Sequence, residues 1–241
     1  MPLSSLSFQN TTFSISYKIQ NLNNKQDIII LHGWGSNKEI MQNAFAGLLP
    51  NFKLVFIDMP GFGKSTNTAI LDTQEYANIL EQFLREQKIQ KNIIIGHSFG
   101  GKVATLLQPK HLILLSSAGI VPTKRRSVRI KIALFKILKS LGLGMAYKYF
   151  ASSDANQMTQ NMYETFKQVV NEDFTAIFTN FPNNALVFWG ESDEQTPLSS
   201  GQQISSLLPK NQFFPLAGDH FFFANKKNAQ IIAQEIQKLN D

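Results

Sequence analysis

The sequence predicts an α/β fold, in which a mostly parallel sheet is flanked by helices on both faces. Short runs of apolar, often β-branched residues recur along the chain, and longer amphipathic stretches separate them. Strands that are apolar on both faces belong in a parallel sheet that helices cover. Their regular alternation with helices is typical of successive βαβ units.

The strands are predicted from one alternating segment and several apolar runs. Phe13, Ile15, Tyr17 and Ile19 alternate with polar residues, which is typical of a half-buried antiparallel strand. The apolar runs are residues 28–31, 53–57, 92–95, 112–115, 185–189 and 212–214. The helices expected between them are residues 38–49, 73–87, 100–107, 199–208 and 227–239.

A helical section interrupts this alternation between residues 119 and 184. Its clearest pattern places five apolar residues on one helix face, at the spacing of an amphipathic helix. They are Ile130, Leu134, Ile137, Leu138 and Leu141. We therefore expect a core formed by residues 1–118 and 185–241, with residues 119–184 inserted as a helical cap.

Composition excludes several classes of protein. The length of 241 residues favours one domain with an insertion, and the absence of cysteine excludes disulfides, thiolate nucleophiles and Cys-ligated zinc. The first ten residues lack the features of a secretory signal, and no apolar run is long enough for a transmembrane helix. A cytoplasmic protein without a transmembrane segment is expected.

The net charge of +6 comes largely from one basic segment in the cap. Its cations, with no acid between them, are Lys124, Arg125, Arg126, Arg129, Lys131, Lys136 and Lys139. Because the chain shows no nucleic-acid-binding module, no nucleic-acid partner is expected. The segment is interpreted as a solvated helix face, with an acidic carrier protein or an anionic membrane as alternative partners.

Gly96-His97-Ser98-Phe99-Gly100 predicts a serine nucleophile. The motif follows an apolar strand and opens a helix, which is the context of a nucleophile elbow. Glycine two residues before and after Ser98 leaves room for the sharp turn that exposes its hydroxyl. The helix N-terminus there also favours negative charge that develops during a reaction.

A serine nucleophile needs a base, and His220 is the predicted one. It follows the last predicted strand, as expected for the chain order serine, acid, histidine. His97 adjoins Ser98 and leaves the turn in another direction, His32 is expected to brace a loop, and His111 to lie at the surface.

The acid that orients His220 should lie between Ser98 and His220 in the chain. Gly190-Glu191-Ser192-Asp193-Glu194 follows the strand at 185–189 and offers three carboxylates. Asp193 is predicted to face inward and accept the Nδ1–H of the histidine, while both glutamates face water.

The backbone N–H groups of Phe99 and Trp34 are predicted to form the oxyanion hole. Trp34, Phe99 and Phe221 are near the catalytic residues in sequence and are predicted to line an apolar acyl pocket. Side chains supply the nucleophile, base and acid, so neither a metal nor an organic cofactor is expected.

These motifs resemble the α/β-hydrolase family of esterases, lipases and their relatives. The resemblance spans nearly the whole chain and rests on five motifs: residues 32–35, 58–65, 96–101, 189–197 and 218–220. It implies the same Ser98, Asp193 and His220 assignments, a structural turn at residues 58–65, and a helical cap between the sixth and seventh strands.

Within that family, a small or apolar carboxylic ester or thioester is the expected substrate. Ser98 stands where haloalkane dehalogenases and epoxide hydrolases carry an aspartate, which disfavours both. The motifs at residues 32–35 and 58–65 are similar to esterases that act on pimeloyl groups attached to acyl carrier protein. Alternatives are a carbon–carbon hydrolase of ring-fission products and a ligand-binding receptor on the hydrolase fold.

Overall fold

The computed structural model describes residues 2–121 and 159–240, and these contain an eight-stranded sheet. The strands are β1 Leu3–Phe8, β2 Thr11–Gln20, β3 Asp27–Leu31, β4 Lys53–Ile57, β5 Ile93–His97, β6 His111–Leu115, β7 Asn184–Gly190 and β8 Asn211–Leu216. Their spatial order is β1-β2-β4-β3-β5-β6-β7-β8. β2 pairs antiparallel with β1 and with β4, and every other pair is parallel.

Helices cover both faces of this sheet. They are α1 Lys38–Phe45, α2 Thr73–Glu86, α3 Phe99–Leu106, α4 Gln160–Val169, α5 Thr175–Thr179, α6 Leu198–Leu207 and α7 Lys226–Gln237. Phe45 of α1 and Ile232 of α7 belong to the apolar core on one face, whereas Leu80 of α2 and Val103 of α3 belong to the other. The predicted α/β fold class is confirmed.

Two elements differ from the sequence-based expectation. Strand β1 was not predicted, because its apolar residues Leu3, Leu6 and Phe8 do not alternate strictly with polar ones. Helix α1 ends at Phe45, short of the predicted residue 49, because Gly47 takes a φ of 82° and turns the chain towards β4.

Helices α4 and α5 lie inside the section that was predicted to form a cap. The predicted helix through Ile130 and Leu141, and the basic segment from Lys124 to Lys139, lie outside the described residues. The division into core and cap therefore stays a prediction. Within residues 2–121 and 159–240, no helix has the length and apolar character needed to cross a bilayer.

Candidate active site

Ser98 occupies a strained turn between β5 and α3. Its φ is 51° and its ψ is −115°, a conformation that non-glycine residues seldom adopt. The turn is held by hydrogen bonds from the Ser98 N–H to the Leu115 carbonyl, at 3.1 Å, and from the Ala118 N–H to the Ser98 carbonyl, at 3.0 Å. Gly96 is required here because a Cβ on it would lie 2.4 Å from the Gly100 carbonyl oxygen. Close packing of strand against helix therefore fixes Ser98 in this turn.

The loop after β3 lies directly beside this turn. A Cβ built on Gly33 would lie 3.1 Å from Ser98 Cβ and 2.9 Å from His97 Nδ1. The next residue is Trp34, whose backbone N–H therefore lies in a chain segment that borders Ser98. The Phe99 N–H is the first of helix α3 and has no intrahelical acceptor. Both N–H groups predicted for the oxyanion hole thus lie on segments that border Ser98.

Asp193 and His220 meet on the loops that follow β7 and β8. Their hydrogen bond joins His220 Nδ1 to Asp193 Oδ2 at 2.8 Å, and both residues are buried. The two loops are in close contact, since a Cβ on Gly190 would lie 2.1 Å from the Asp219 carbonyl oxygen. Glu191 and Glu194 are exposed. Of the three carboxylates in this segment, only Asp193 points inward.

Thr196 completes the surroundings of the Asp193 carboxylate. The backbone N–H groups of Gln195 and Thr196 donate to Oδ1, at 2.8 and 2.9 Å, and the Thr196 hydroxyl donates to Oδ2 at 2.8 Å. Burial is the largest influence on the pKa of Asp193 and raises it. The hydrogen bond and charge of His220, with the hydrogen bonds of Thr196, outweigh burial and lower the pKa below its ordinary value. The carboxylate is therefore held in its ionised form.

The ring of His220 is oriented through one nitrogen. Among the described residues its hydrogen-bonding partners are Asp193 and the Thr196 hydroxyl, both at Nδ1. Because the ionised Asp193 only accepts hydrogen bonds, Nδ1 carries the proton. Nε2 is then the nitrogen available to accept a proton from a nucleophile.

His97 supports His220 from behind. Its Nε2 lies 3.0 Å from the His220 carbonyl oxygen, and the two ring centroids are 4.6 Å apart. A carbonyl can only accept, so His97 Nε2 carries the proton and Nδ1 is unprotonated, without a partner in the described residues. Burial lowers the pKa of His97 well below its ordinary value, with the charge of His220 acting in the same direction. His97 is therefore a neutral ring that holds the main chain of His220.

A buried network fixes the loops after β3 and β4. Asp58 accepts hydrogen bonds from the Lys38 backbone N–H at 2.8 Å, the Lys38 ammonium at 2.5 Å and the Lys64 N–H at 3.0 Å. His32 Nε2 accepts from the Met59 N–H at 3.0 Å, so this histidine does brace a loop. Burial, the largest influence, lowers the pKa of His32. The network connects the start of α1 with the turn at residues 58–65.

A cavity of about 120 Å³ opens beside Ser98. Trp34, Phe99 and Phe166 form much of its apolar wall, and the Trp34 ring contacts Phe99 and Phe166 at centroid distances of 5.4 and 5.3 Å. Phe221 is not in the cavity wall, because its ring packs against His97, at 5.0 Å between centroids, behind the site. A second, open groove of about 270 Å³ between α3 and α5 contains none of the predicted site residues.

Two charged side chains also line this cavity. Lys102 of α3 and Glu172, which follows α4, form an ion pair of 2.7 Å between Nζ and Oε2. The Lys102 ammonium also donates to the Val169 carbonyl at 2.6 Å, and Glu172 accepts from the backbone N–H and hydroxyl of Thr73. Burial lowers the pKa of Lys102, and Glu172 opposes that shift. The pair joins α3 to the end of α4, the helix whose residues Phe166 and Val169 line the cavity.

The structure brings most of the predicted site residues to one edge of the sheet. Ser98, Asp193 and His220 follow the carboxyl ends of β5, β7 and β8, with Trp34 on the loop after β3. Sequence reasoning missed the contributions of His97, Thr196 and the Lys102–Glu172 pair. Within the part of the chain that the structure describes, no group of three or more His, Cys, Asp or Glu residues is placed to hold a metal ion.

Known proteins resemble this chain in sequence and in fold. A family model described as the alpha/beta hydrolase fold matches residues 28–118. The pimeloyl-[acyl-carrier protein] methyl ester esterase of Vibrio vulnificus (strain YJ016) is 25% identical, over 86% of this chain and 89% of that protein. The crystal structure of a hydrolase from Pseudomonas aeruginosa PA01 superposes with a TM-score of 0.78 at 17% identity, covering 99% of this chain and 98% of that one.

A second esterase matches more closely over a shorter segment. The pimeloyl-[acyl-carrier protein] methyl ester esterase of Pectobacterium carotovorum (strain PC1) is 37% identical over 79 residues, which are 33% of this chain. The matched segment spans 29% of the length of that relative. Together the comparisons confirm the α/β-hydrolase resemblance and support a hydrolase of esterase type.

Proposed function

We propose that this α/β-hydrolase-fold enzyme is a serine esterase that cleaves a carboxylic ester through an acyl-enzyme on Ser98. The observation that carries the proposal is the 2.8 Å contact between His220 Nδ1 and Asp193 Oδ2, on the same sheet edge as the Ser98 turn. A histidine fixed by a buried carboxylate is the arrangement that activates a serine hydroxyl.

In the proposed mechanism, Ser98 Oγ attacks the ester carbonyl while His220 Nε2 takes the hydroxyl proton. The tetrahedral oxyanion accepts hydrogen bonds from the backbone N–H groups of Trp34 and Phe99. Asp193 stabilises the imidazolium of His220 without taking its proton. The carbon–oxygen bond to the alcohol then breaks, and the alcohol leaves with the proton from His220.

Water completes the cycle by the same steps. His220 takes a proton from water as the water oxygen attacks the acyl-enzyme carbonyl, and the same N–H groups hold the second oxyanion. The bond to Ser98 Oγ breaks, and His220 returns its proton to that oxygen. The carboxylic acid product leaves, and the enzyme is restored to its initial protonation state.

Replacement of the serine tests this proposal. Ser98→Ala should abolish labelling by a fluorophosphonate probe and hydrolysis of p-nitrophenyl acetate and butyrate, because it removes the hydroxyl that His220 is proposed to activate. Ser192→Ala, which removes an exposed hydroxyl near Asp193, should label like the wild type. His220→Ala should lower turnover by about 10⁴-fold or more. Unchanged labelling of Ser98→Ala would refute the nucleophile assignment.

For the substrate, we propose a carrier-protein-linked methyl ester as the specific candidate beside simple esters. The Vibrio and Pectobacterium relatives support it, since both are named as esterases of that substrate class. Docking of an acidic carrier protein on the basic segment belongs to this proposal. Comparison of a carrier-linked methyl ester with the free methyl ester tests it, and equal kcat/KM values would exclude a contribution from the carrier.

Two other functions give different results in the same assays. A carbon–carbon hydrolase would turn over a ring-fission product faster than any ester. A receptor would bind an apolar ligand tightly and hydrolyse no short ester. The ionised Asp193 and its bond to His220 favour the esterase over the receptor, because a binding protein does not need an oriented base.

A further inference from the structure

The Lys102–Glu172 pair is an unusual wall for an apolar cavity. The Lys102 side chain is 2% exposed and that of Glu172 is 27% exposed, and both line the cavity that contains Ser98. Charged groups are costly to bury unless their hydrogen bonds are satisfied. The hydrogen bonds that Lys102 and Glu172 already make therefore show which further hydrogen bonds a ligand in the cavity could form with them.

Each member of the pair retains hydrogen-bonding capacity. An ammonium has three donors and a carboxylate has about four acceptor sites. Within the described residues, Lys102 donates to Val169 and Glu172, and its remaining contact is the weaker one to the Phe174 ring, 4.6 Å from Nζ to the centroid. Glu172 accepts from Lys102 and twice from Thr73. By this count one donor of Lys102 and one acceptor site of Glu172 remain, on two charged groups that are 2.7 Å apart.

The pair and Ser98 line the same cavity, so an acyl chain that enters this cavity from Ser98 meets the pair. Lys102 is four residues after Ser98 on α3, which is about 6 Å along the helix axis and roughly the length of five extended bonds. Helical side chains also lean towards the helix N-terminus, which is the Ser98 end of α3. A group that both donates and accepts, about five atoms along the acyl chain, suits this position.

We infer that the Lys102–Glu172 pair is a polar subsite of the acyl pocket that selects esters whose acyl chain carries an amide. The amide carbonyl accepts from the Lys102 ammonium, and the amide N–H donates to the Glu172 carboxylate. A plain alkyl chain leaves both groups without these bonds and is bound less well in the transition state. The inference rests on the proposed esterase function and specifies its substrate class.

Three p-nitrophenyl esters of matched length test the subsite: 4-acetamidobutyrate, 6-oxoheptanoate and heptanoate. The first offers a donor and an acceptor, the second an acceptor alone, and the third neither. The wild type should favour them in that order, with kcat/KM about tenfold or more higher for the amide than for heptanoate. Equal values, or a preference for heptanoate, would overturn the inference without any variant.

Paired substitutions then assign the preference to these two residues. Lys102→Met with Glu172→Leu removes both charges together and should bring the amide-to-heptanoate ratio close to one. Lys102→Gln with Glu172→Gln restores a neutral donor and acceptor and should retain part of the ratio. Removal of the exposed Lys167–Glu164 pair on α4, by Lys167→Met with Glu164→Leu, should leave the ratio at the wild-type value.

The esterase function and the amide-binding subsite can be tested separately, because a failure of each gives a different result. If the esterase function is wrong, the wild type will neither react with the fluorophosphonate probe nor hydrolyse any of the three esters. If the subsite alone is wrong, the wild type will be labelled and active, and the apolar double variant will keep the wild-type ratio. Should that variant not fold, the wild-type order and the glutamine pair decide the question.

Discussion

Loss of the Lys38 ammonium should destabilise the whole chain. Lys38 and Asp58 are both fully buried, and their side chains are 2.5 Å apart. Lys38→Met leaves the Asp58 carboxylate with its two backbone N–H donors but without its counter-ion. Leaving a buried charge without its partner costs about 3–5 kcal/mol. For a chain of this length that corresponds to a fall in Tm of roughly 6–20 °C.

Thermal unfolding followed by circular dichroism, with a guanidinium titration beside it, measures this loss. Lys38→Met combined with Asp58→Asn removes both charges and should recover more than half of the lost stability. Lys91→Met breaks an exposed ion pair with Glu81 and should change stability by less than about 1 kcal/mol. A cost below about 1 kcal/mol for Lys38→Met, or a double variant no more stable than the single one, would refute the reasoning.

Two further predictions concern the histidines and the acid. Asp193→Asn should lower kcat on p-nitrophenyl acetate by about 10⁴-fold, because the amide favours the wrong tautomer of His220; a loss below tenfold would contradict the assigned role. Burial lowers the pKa of His97 and of His32, so the unfolded chain takes up their protons first as pH falls. The contribution of these two neutral rings to the free energy of unfolding is therefore fully present above pH ~6.5. Below that pH it declines by up to about 1.4 kcal/mol per pH unit for each histidine. His97→Gln should remove one such contribution from urea unfolding curves between pH 6.5 and 5, and an unchanged slope would exclude a neutral buried His97.

The sequence predicted the features that local chemistry determines. Alternating apolar runs and amphipathic stretches predict a parallel sheet, and parallel strands place their carboxyl ends at one edge. Asp193 and His220, which follow β7 and β8, were therefore expected to meet, and they do at 2.8 Å. Glycine spacing around Ser98 likewise predicts a strained turn, and a φ of 51° is observed.

Features that depend on packing between distant segments were not predictable. Glu172 lies 70 residues from Lys102, and no local pattern links the two. Phe221 was assigned to the pocket from its nearness to His220 in sequence, but its side chain packs against His97 behind the site. A signal for the ion pair was present in the sequence: Lys102 lies in the otherwise apolar α3, and a lysine in a buried helix is unusual unless it has a charged partner.

Only some of the contacts of Thr196 could have been predicted from the sequence. It lies three residues after Asp193 and donates through both its N–H and its hydroxyl, which a short acidic turn could have suggested. That its hydroxyl also lies 3.1 Å from the Ser116 carbonyl depends on β6 and β7 being neighbours. That second contact could not be predicted from the sequence alone.

The strained backbone at Ser98 affects which substitutions at this position would be favoured if activity were no longer needed. A non-glycine residue in this conformation lowers the free energy of unfolding by about 1–3 kcal/mol. A glycine at this position would therefore stabilise the fold but would remove the hydroxyl on which the proposed reaction depends. Under the proposed mechanism, loss of the nucleophile would thus stabilise the fold at the very position that carries the reaction. Only a continuing demand for turnover would keep a hydroxyl there.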